Sequence, residues 1–258
     1  MGKLAGRRAI ITGGAAGIGA AAARIFAEAG ARVAIFDVDA GGGERVAAEV
    51  RQAGGDAIFL PTDITQPEAV EAAVAEVVER FGGLEILYNN AGGATAVDGS
   101  LLEIPLEEFW RTIGVDLYGS FLCCRFAIPR IAASVQGSDG ITGSGAVINS
   151  TSIRAMKGTG GADAYTSAKG GVLTLTRALA KQCAPKRIRV NAVAPGAVLT
   201  ERTRAMGMTG DDDGTDPARP IRTGRPSEVA QVACFLASDE ASLINGAVIP
   251  VDSGASAY

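Results

Sequence analysis

The chain has 258 residues, 47% apolar and 20% charged, enough for one large α/β domain or two small ones. Its net charge is −4 with no lysine or arginine cluster, which argues against a nucleic-acid partner, and no apolar run reaches the roughly 18 residues of a membrane span. Histidine is absent, so a Ser-His-Asp triad and a histidine-ligated metal are both excluded, and any catalytic base must be another residue type.

Arg8-Ala9-Ile10-Ile11-Thr12 reads as a first strand. It runs into the turn Gly13-Gly14-Ala15-Ala16-Gly17-Ile18-Gly19 and a helix to about Ala29, with Gly30 as its C-cap. A second strand, Arg32 to Phe36, closes on Asp37, and a helix over 40–53 follows. The third strand, Ala57 to Pro61, leads to Thr62-Asp63, and Pro67 to Phe81 shows valines at helical spacing. Leu84 to Tyr88 is a fourth strand before Asn89-Asn90-Ala91-Gly92. A long helix over 106–134 is interrupted near Gly114 and Gly119, and 136–145 reads as a surface loop. A fifth strand, Gly145 to Asn149, precedes Ser150-Thr151-Ser152, and a helix carries Tyr165 to about Ala184. A sixth strand covers 187–193, 197–225 is irregular and polar, and a short helix over 226–238 and a strand over 247–251 finish the chain. Strands alternating with helices predict a parallel sheet covered on both faces, with no linker dividing it.

The four cysteines, Cys123, Cys124, Cys183 and Cys234, show neither CxxC nor zinc spacing and read as buried thiols. The opening Met1-Gly2-Lys3-Leu4-Ala5-Gly6 lacks a signal peptide's apolar stretch, so a cytoplasmic location is expected.

Three residues carry the chemistry. Tyr165 and Lys169 are four apart and share one helix face. An ammonium beside a phenol favours the phenolate, which turns a group of ordinary pKa about 10 into a usable base. Ser152 follows a buried strand, at the carboxyl end where open α/β sheets place their ligands. Together they suit proton transfer at an alcohol or carbonyl oxygen.

The cofactor end is read from two further places. The glycines of Gly13-xxx-Gly17-x-Gly19 let backbone amides approach a pyrophosphate at a helix N-terminus. Asp37 ends the second strand, where a carboxylate accepts both ribose hydroxyls and repels a 2′-phosphate; the competing reading is a turn-forming aspartate. Asp63 could accept from an adenine amine, or serve the following helix as a cap in competition with Thr65.

Thr12-Gly13-xxx-Gly17-x-Gly19, Asp63, Asn89-Asn90-Ala91-Gly92, Ser152, Tyr165-xxx-Lys169 and Pro195-Gly196-xxx-Thr200 stand in one order. In this the chain closely resembles the classical short-chain dehydrogenase/reductase family over residues about 4 to 254. The resemblance implies one Rossmann-type domain over 1–258, a doubly wound parallel sheet of about seven strands with helices on both faces, and 197–225 as a substrate-side lid. It implies NAD(P)-linked hydride transfer, and Asp37 resembles the NAD-preferring subgroup. By the family pattern Tyr165 is the general acid/base, Lys169 supports it and binds the nicotinamide ribose, and Ser152 holds the substrate oxygen. Gly13, Gly17, Ile18, Gly19, Asp37, Val38, Asp63 and Ile64 belong to the same expected NAD site. So do Asn90, Ala91 and Gly92 on the adenine-ribose side and Pro195, Gly196, Val198 and Thr200 along the nicotinamide. No metal is expected. A homotetramer is.

Two departures stand out. Asp116 occupies the place where the family usually has the Asn that holds a relay water for the lysine. A carboxylate there adds negative charge near Lys169, and a shifted pH optimum is expected. Tyr88 replaces a small aliphatic residue. The expected function is NAD(H)-dependent interconversion of a secondary alcohol and a ketone. The alternatives are an NADPH-dependent 3-oxoacyl thioester reductase, a non-catalytic NAD-binding regulator, and a scaffold module without cofactor. A substrate carboxylate could pair with the loop cations Arg154 or Lys157; the competing and favoured reading is a solvated loop.

Overall fold

A computed structural model describes residues 2–136, 143–209 and 221–257. Part of the loop expected over 136–145 and residues 210–220 of the expected lid, including Asp211–Asp213, lie outside the described residues. The strands are β1 (Arg8–Thr12), β2 (Arg32–Asp37), β3 (Asp56–Pro61), β4 (Ile86–Asn89), β5 (Gly145–Ser150), β6 (Ile188–Pro195) and β7 (Val248–Val251). The helices are α1 (Gly17–Glu28), α2 (Ala40–Gln52), α3 (Pro67–Phe81), α4 (Leu106–Thr112), α5 (Gly119–Ser134), α6 (Asp163–Cys183), α7 (Glu201–Ala205) and α8 (Pro226–Ala237).

The seven strands form one sheet in the order β3-β2-β1-β4-β5-β6-β7, every pair parallel. Strand alternation divides the core. Ile11, Val33, Ile35, Ile148 and Tyr88 face a cluster with Phe26 of α1, Val46 of α2 and Ala233 of α8. Ile10, Ala34, Leu87 and Val147 face Val74 of α3, Leu122 of α5 and Ala180 of α6. Both faces of the central strands are therefore buried, which is why β1, β2 and β4 read as near-continuous apolar runs. The four cysteines lie buried and unbridged in these layers. Among the described residues no helix is long and apolar enough to cross a membrane.

The order reverses between β1 and β4, and that reversal opens a crevice at their carboxyl ends. Tyr88 belongs to the support beneath it. Its ring stacks on Phe26 at 6.2 Å and its hydroxyl is 3.1 Å from Ser150 Oγ. Burial pushes its phenol up to about 12, so it stays neutral.

Two local differences from the pattern matter. The helix expected over 106–134 breaks into α4 and α5 around a π-helical turn, Ile113–Tyr118. The extra residue in that turn belongs to a segment holding a buried carboxylate, Asp116, and such turns recur at functional sites. The stretch expected to be irregular over 197–225 contains α7. Thr200 and Thr203 close a capping box at its start, with Thr203 N–H 3.2 Å from Thr200 Oγ1.

Candidate active site

A cavity of about 580 Å³ lies along the carboxyl ends of β1, β2, β4, β5 and β6. It runs from Asp37 and Val38 past the glycine-rich turn to Tyr165 and Lys169. Gly13, Gly17 and Ile18 line its floor, and Asp63 and Ile64 lie at the Asp37 end. Asn90, Ala91 and Gly92 line one wall; Pro195, Gly196, Val198 and Thr200 line the other.

The turn after β1 is shaped for close approach. A Cβ on Gly19 would come within 2.0 Å of the Gly13 carbonyl, so Gly19 is a packing residue beneath the cavity rather than part of its lining. No side chain caps the N-terminus of α1, and no acidic residue stands in its first turn. Its amide donors thus suit an anion such as a pyrophosphate.

Asp37 is fixed by backbone donors. Ala15 N–H donates to Oδ2 and Asp39 N–H to Oδ1, both at 3.0 Å. Each oxygen keeps acceptor capacity for a ribose hydroxyl. Asp63 Oδ1 accepts from Thr65 N–H at 2.9 Å and Thr65 Oγ1 at 2.7 Å, while Gln66 is the N-cap of α3. Asp63 therefore closes the preceding turn and does not cap the helix. The Asn90 side chain is spent inside the protein. Its Nδ2 donates to the Thr12 and Gly13 carbonyls at 3.1 and 3.2 Å, tying the end of β4 to the glycine-rich turn.

At the other end, α6 brings Tyr165 and Lys169 together, with Nζ 5.6 Å from the phenol ring centroid. Lys169 Nζ donates to the Ser150 carbonyl at 2.9 Å, and Thr151 Oγ1 donates to the Lys169 carbonyl at 2.8 Å, so β5 fixes this turn of α6. Ser152 is buried just behind the cavity lining. Its Oγ accepts from Arg154 N–H at 3.2 Å, which leaves the hydroxyl proton available for donation.

Asp116 reaches Lys169 directly. Oδ1 is 2.9 Å from Nζ and accepts from Gly93 N–H, also at 2.9 Å. The negative charge expected near Lys169 thus takes the form of a direct ion pair. Oδ2 is buried without a hydrogen-bond partner. A Cβ on Gly92 would lie 2.3 Å from Asp116 Oδ1, so only glycine lets this strand end pass over the carboxylate. Burial alone would push the Lys169 ammonium down. The charge of Asp116, the neighbouring Tyr165 and the ion-pair hydrogen bond outweigh burial and hold Lys169 above its ordinary value, with Arg202 pulling weakly the other way.

Two residues escaped the sequence reading. Asp98 lies in the loop after Gly92, yet it caps the helix that bears the phenol. Its Oδ2 accepts from Tyr165 N–H at 2.8 Å and Oδ1 from Ala164 N–H at 3.2 Å. Ala162, the residue at the N-cap position, is left-handed and offers no side-chain acceptor, so a distant residue supplies it. That missing local cap was the available signal. Arg202, on α7, reaches back over the cavity to the Gly92 carbonyl at 2.6 Å.

Comparison with known proteins shows the family. A family profile described as enoyl-(acyl carrier protein) reductase matches residues 13–256. The chain is 42% identical over 250 residues to cis-4-hydroxycyclohexanecarboxylate dehydrogenase of Sinomonas cyclohexanicum, covering 96% of each. It is 38% identical over 248 residues to meso-2,3-butanediol dehydrogenase of Serratia marcescens, covering 96% of this chain and 94% of that one. The crystal structure of levodione reductase superimposes with a TM-score of 0.87 at 31% identity, covering 98% of this chain and 99% of the other. The chain belongs to the short-chain dehydrogenase/reductase family and is one of its oxidoreductases.

Proposed function

We propose that the chain interconverts a secondary alcohol and a ketone with NAD(H). The observation that carries this reading is one cavity holding the Tyr165–Lys169 pair at one end and the fixed Asp37 carboxylate at the other. The dehydrogenases it resembles act, by their names, on a hydroxycyclohexanecarboxylate and a butanediol, both secondary alcohols.

The residues present fit a nicotinamide dinucleotide. Gly13, Gly17 and Ile18 would hold its pyrophosphate, and Asp37 and Val38 the adenosine ribose. Asp63 and Ile64 would flank the adenine, with the Asn90-Ala91-Gly92 backbone alongside. Pro195, Gly196, Val198, Thr200 and Lys169 would hold the nicotinamide half. Once bound, the cofactor supplies the hydride acceptor for oxidation and the hydride donor for reduction. The protein's own part is proton movement. The Tyr165 phenolate oxygen takes the alcohol proton as the carbonyl forms, and returns it in reduction. Ser152 donates its hydroxyl proton to the same substrate oxygen and orients it. Lys169 places positive charge beside the phenol, and Asp116 keeps that lysine charged. Of the expected lid, residues 197–209 and 221–225 would lie on the substrate side.

Asp37 sets the cofactor choice, because a 2′-phosphate beside a fixed carboxylate meets like-charge repulsion. The test is titration with NADH and NADPH, followed by a panel of secondary alcohols with each oxidised form. NADH preference with NAD-linked oxidation supports the reading. NADPH preference overturns the role of Asp37 and favours a 3-oxoacyl thioester reductase. We also propose a homotetramer. Leu106, Trp110 and Phe121, 73%, 68% and 44% exposed along α4 and α5, offer an apolar contact surface for it.

A further inference from the structure

The lining of the cavity carries two cations, Lys169 and Arg202, among the described residues. Lys169 is matched by Asp116. Arg202 is not matched: its Nη1 donates to the Gly92 carbonyl at 2.6 Å, and among the described residues no carboxylate pairs with it. A guanidinium has five N–H donors in a planar fork, so most of its capacity is unused here.

Its position selects the kind of ligand. Thr200, two residues earlier, lies over the glycine-rich turn, its Cγ2 3.2 Å from where a Cβ on Gly17 would stand. Arg202 lies instead over Gly92 and Gly93. A Cβ on Gly93 would come within 2.2 Å of its Nη1, and Gly93 N–H is bonded to Asp116, the partner of Lys169. The guanidinium therefore sits at the Lys169 end of the cavity, away from the uncapped N-terminus of α1 that suits a pyrophosphate. The two loop cations expected from the sequence are already committed. Arg154 donates to Thr159 Oγ1 and to the carbonyls of Gly160 and Gly161 at 3.2, 3.3 and 2.8 Å, and Lys157 donates to the Ala255 carbonyl. Neither lines the cavity.

We propose that Arg202 is a specificity-determining residue that grips a carboxylate on the substrate, so that the alcohol is a hydroxy acid and its ketone an oxo acid. The proposal rests on the secondary-alcohol reading above and narrows it. Planar, bidentate recognition of a carboxylate is the contact a guanidinium fork makes best, and a lysine does not reproduce its geometry.

The test uses the full chain and matched probes, 3-hydroxybutyrate and 3-hydroxycyclohexanecarboxylate with their methyl esters, in which one added methyl group removes the charge. Binding to the NADH-loaded protein is measured by calorimetry, and kcat/KM with NAD+ is measured for each member of a pair. The wild type is expected to favour acid over ester by about tenfold to a hundredfold, the range of a charged hydrogen bond. In Arg202→Gln that ratio falls to near one, and Arg202→Lys keeps only part of it. Taking the ratio removes any general effect of the variant. An unchanged ratio in Arg202→Gln, or a wild type indifferent to the charge, overturns the proposal but leaves the alcohol chemistry intact. Weakened NADH binding in Arg202→Gln with the ratio kept assigns the guanidinium to the cofactor and overturns it too. If neither acids nor esters nor neutral secondary alcohols bind or turn over while NADH binds, the alcohol reading itself has failed, and the proposal with it.

Discussion

The carboxylate of Asp116 lies 2.9 Å from the ammonium of Lys169, with the two side chains 0% and 3% exposed. Water does not screen such a pair, and removing one partner strands the other charge. Asp116→Ala is therefore expected to cost about 3–5 kcal/mol of stability. Asp116→Asn keeps an oxygen for both Lys169 and Gly93 and costs less. It also removes a negative charge close to the reacting phenol. The acid limb of the kcat/KM profile for alcohol oxidation is therefore expected to move to lower pH. A superimposable profile would remove Asp116 from the electrostatics of the site.

Tyr165→Phe deletes only the hydroxyl. The ring still packs beside Lys169, whose bonds to Asp116 and the Ser150 carbonyl are untouched. NADH should bind within about threefold of wild type, while turnover falls by at least about the 10²–10⁴ that a positioned general acid/base contributes. Stopped-flow fluorescence and steady-state assays on the same preparation separate the two quantities.

Asp98→Ala tests the cap on α6. Two backbone donors, at Ala164 and Tyr165, lose their acceptor. The expected stability loss is about 1–2 kcal/mol. Because one donor belongs to Tyr165 itself, kcat should fall more than cofactor affinity, and Asp98→Asn should restore most of both. A thermal melt paired with kcat on the three proteins decides it; loss of stability with kcat unchanged would make the cap purely structural.

How far the sequence reveals this site follows from where each interaction is encoded. The Gly13–Gly19 turn, Asp37 and the Tyr165–Lys169 spacing are local, and helix or strand periodicity places them. The strand alternation that fixes both sheet faces is local too. The π-helical turn is not: Gly114 and Gly119 mark an interruption, but the register shift follows from burying Asp116 against Lys169, 53 positions away in the chain. Asp98 and Arg202 act across 67 and 110 positions. No spacing rule connects either to its target. Arg154 and Lys157 are left open by composition, between a substrate carboxylate and a solvated loop; in the structure the carbonyls of Gly160 and Gly161 take up Arg154 and the distant Ala255 carbonyl takes up Lys157.

Acid stability should be governed in part by Glu108. Its carboxylate accepts from Arg111 Nε and Nη2 at 2.8 and 2.7 Å and from Thr95 Oγ1 at 2.6 Å. The Arg111 hydrogen bonds, with help from Thr95 and Thr112 and against the pull of burial, hold its pKa at about 2 from an ordinary 4.5. A carboxyl depressed on folding stabilises the protein fully above its unfolded value, and that contribution drains away as the group protonates. The stabilisation is thus complete above about pH 4.5 and is lost between there and about pH 2. Glu108→Gln cannot ionise. Its Tm deficit against wild type should be widest above pH 5 and should shrink steadily toward pH 3. Thr95 opens the loop that carries Asp98, so the same acidification should loosen the cap on Tyr165 before the sheet unfolds. Far-ultraviolet circular dichroism against pH, with amide exchange at Ala164 and Tyr165, measures both. A deficit constant across the range would mean that Glu108 serves by its hydrogen bonds alone, and exchange that stays slow to the global transition would uncouple the loop from the helix.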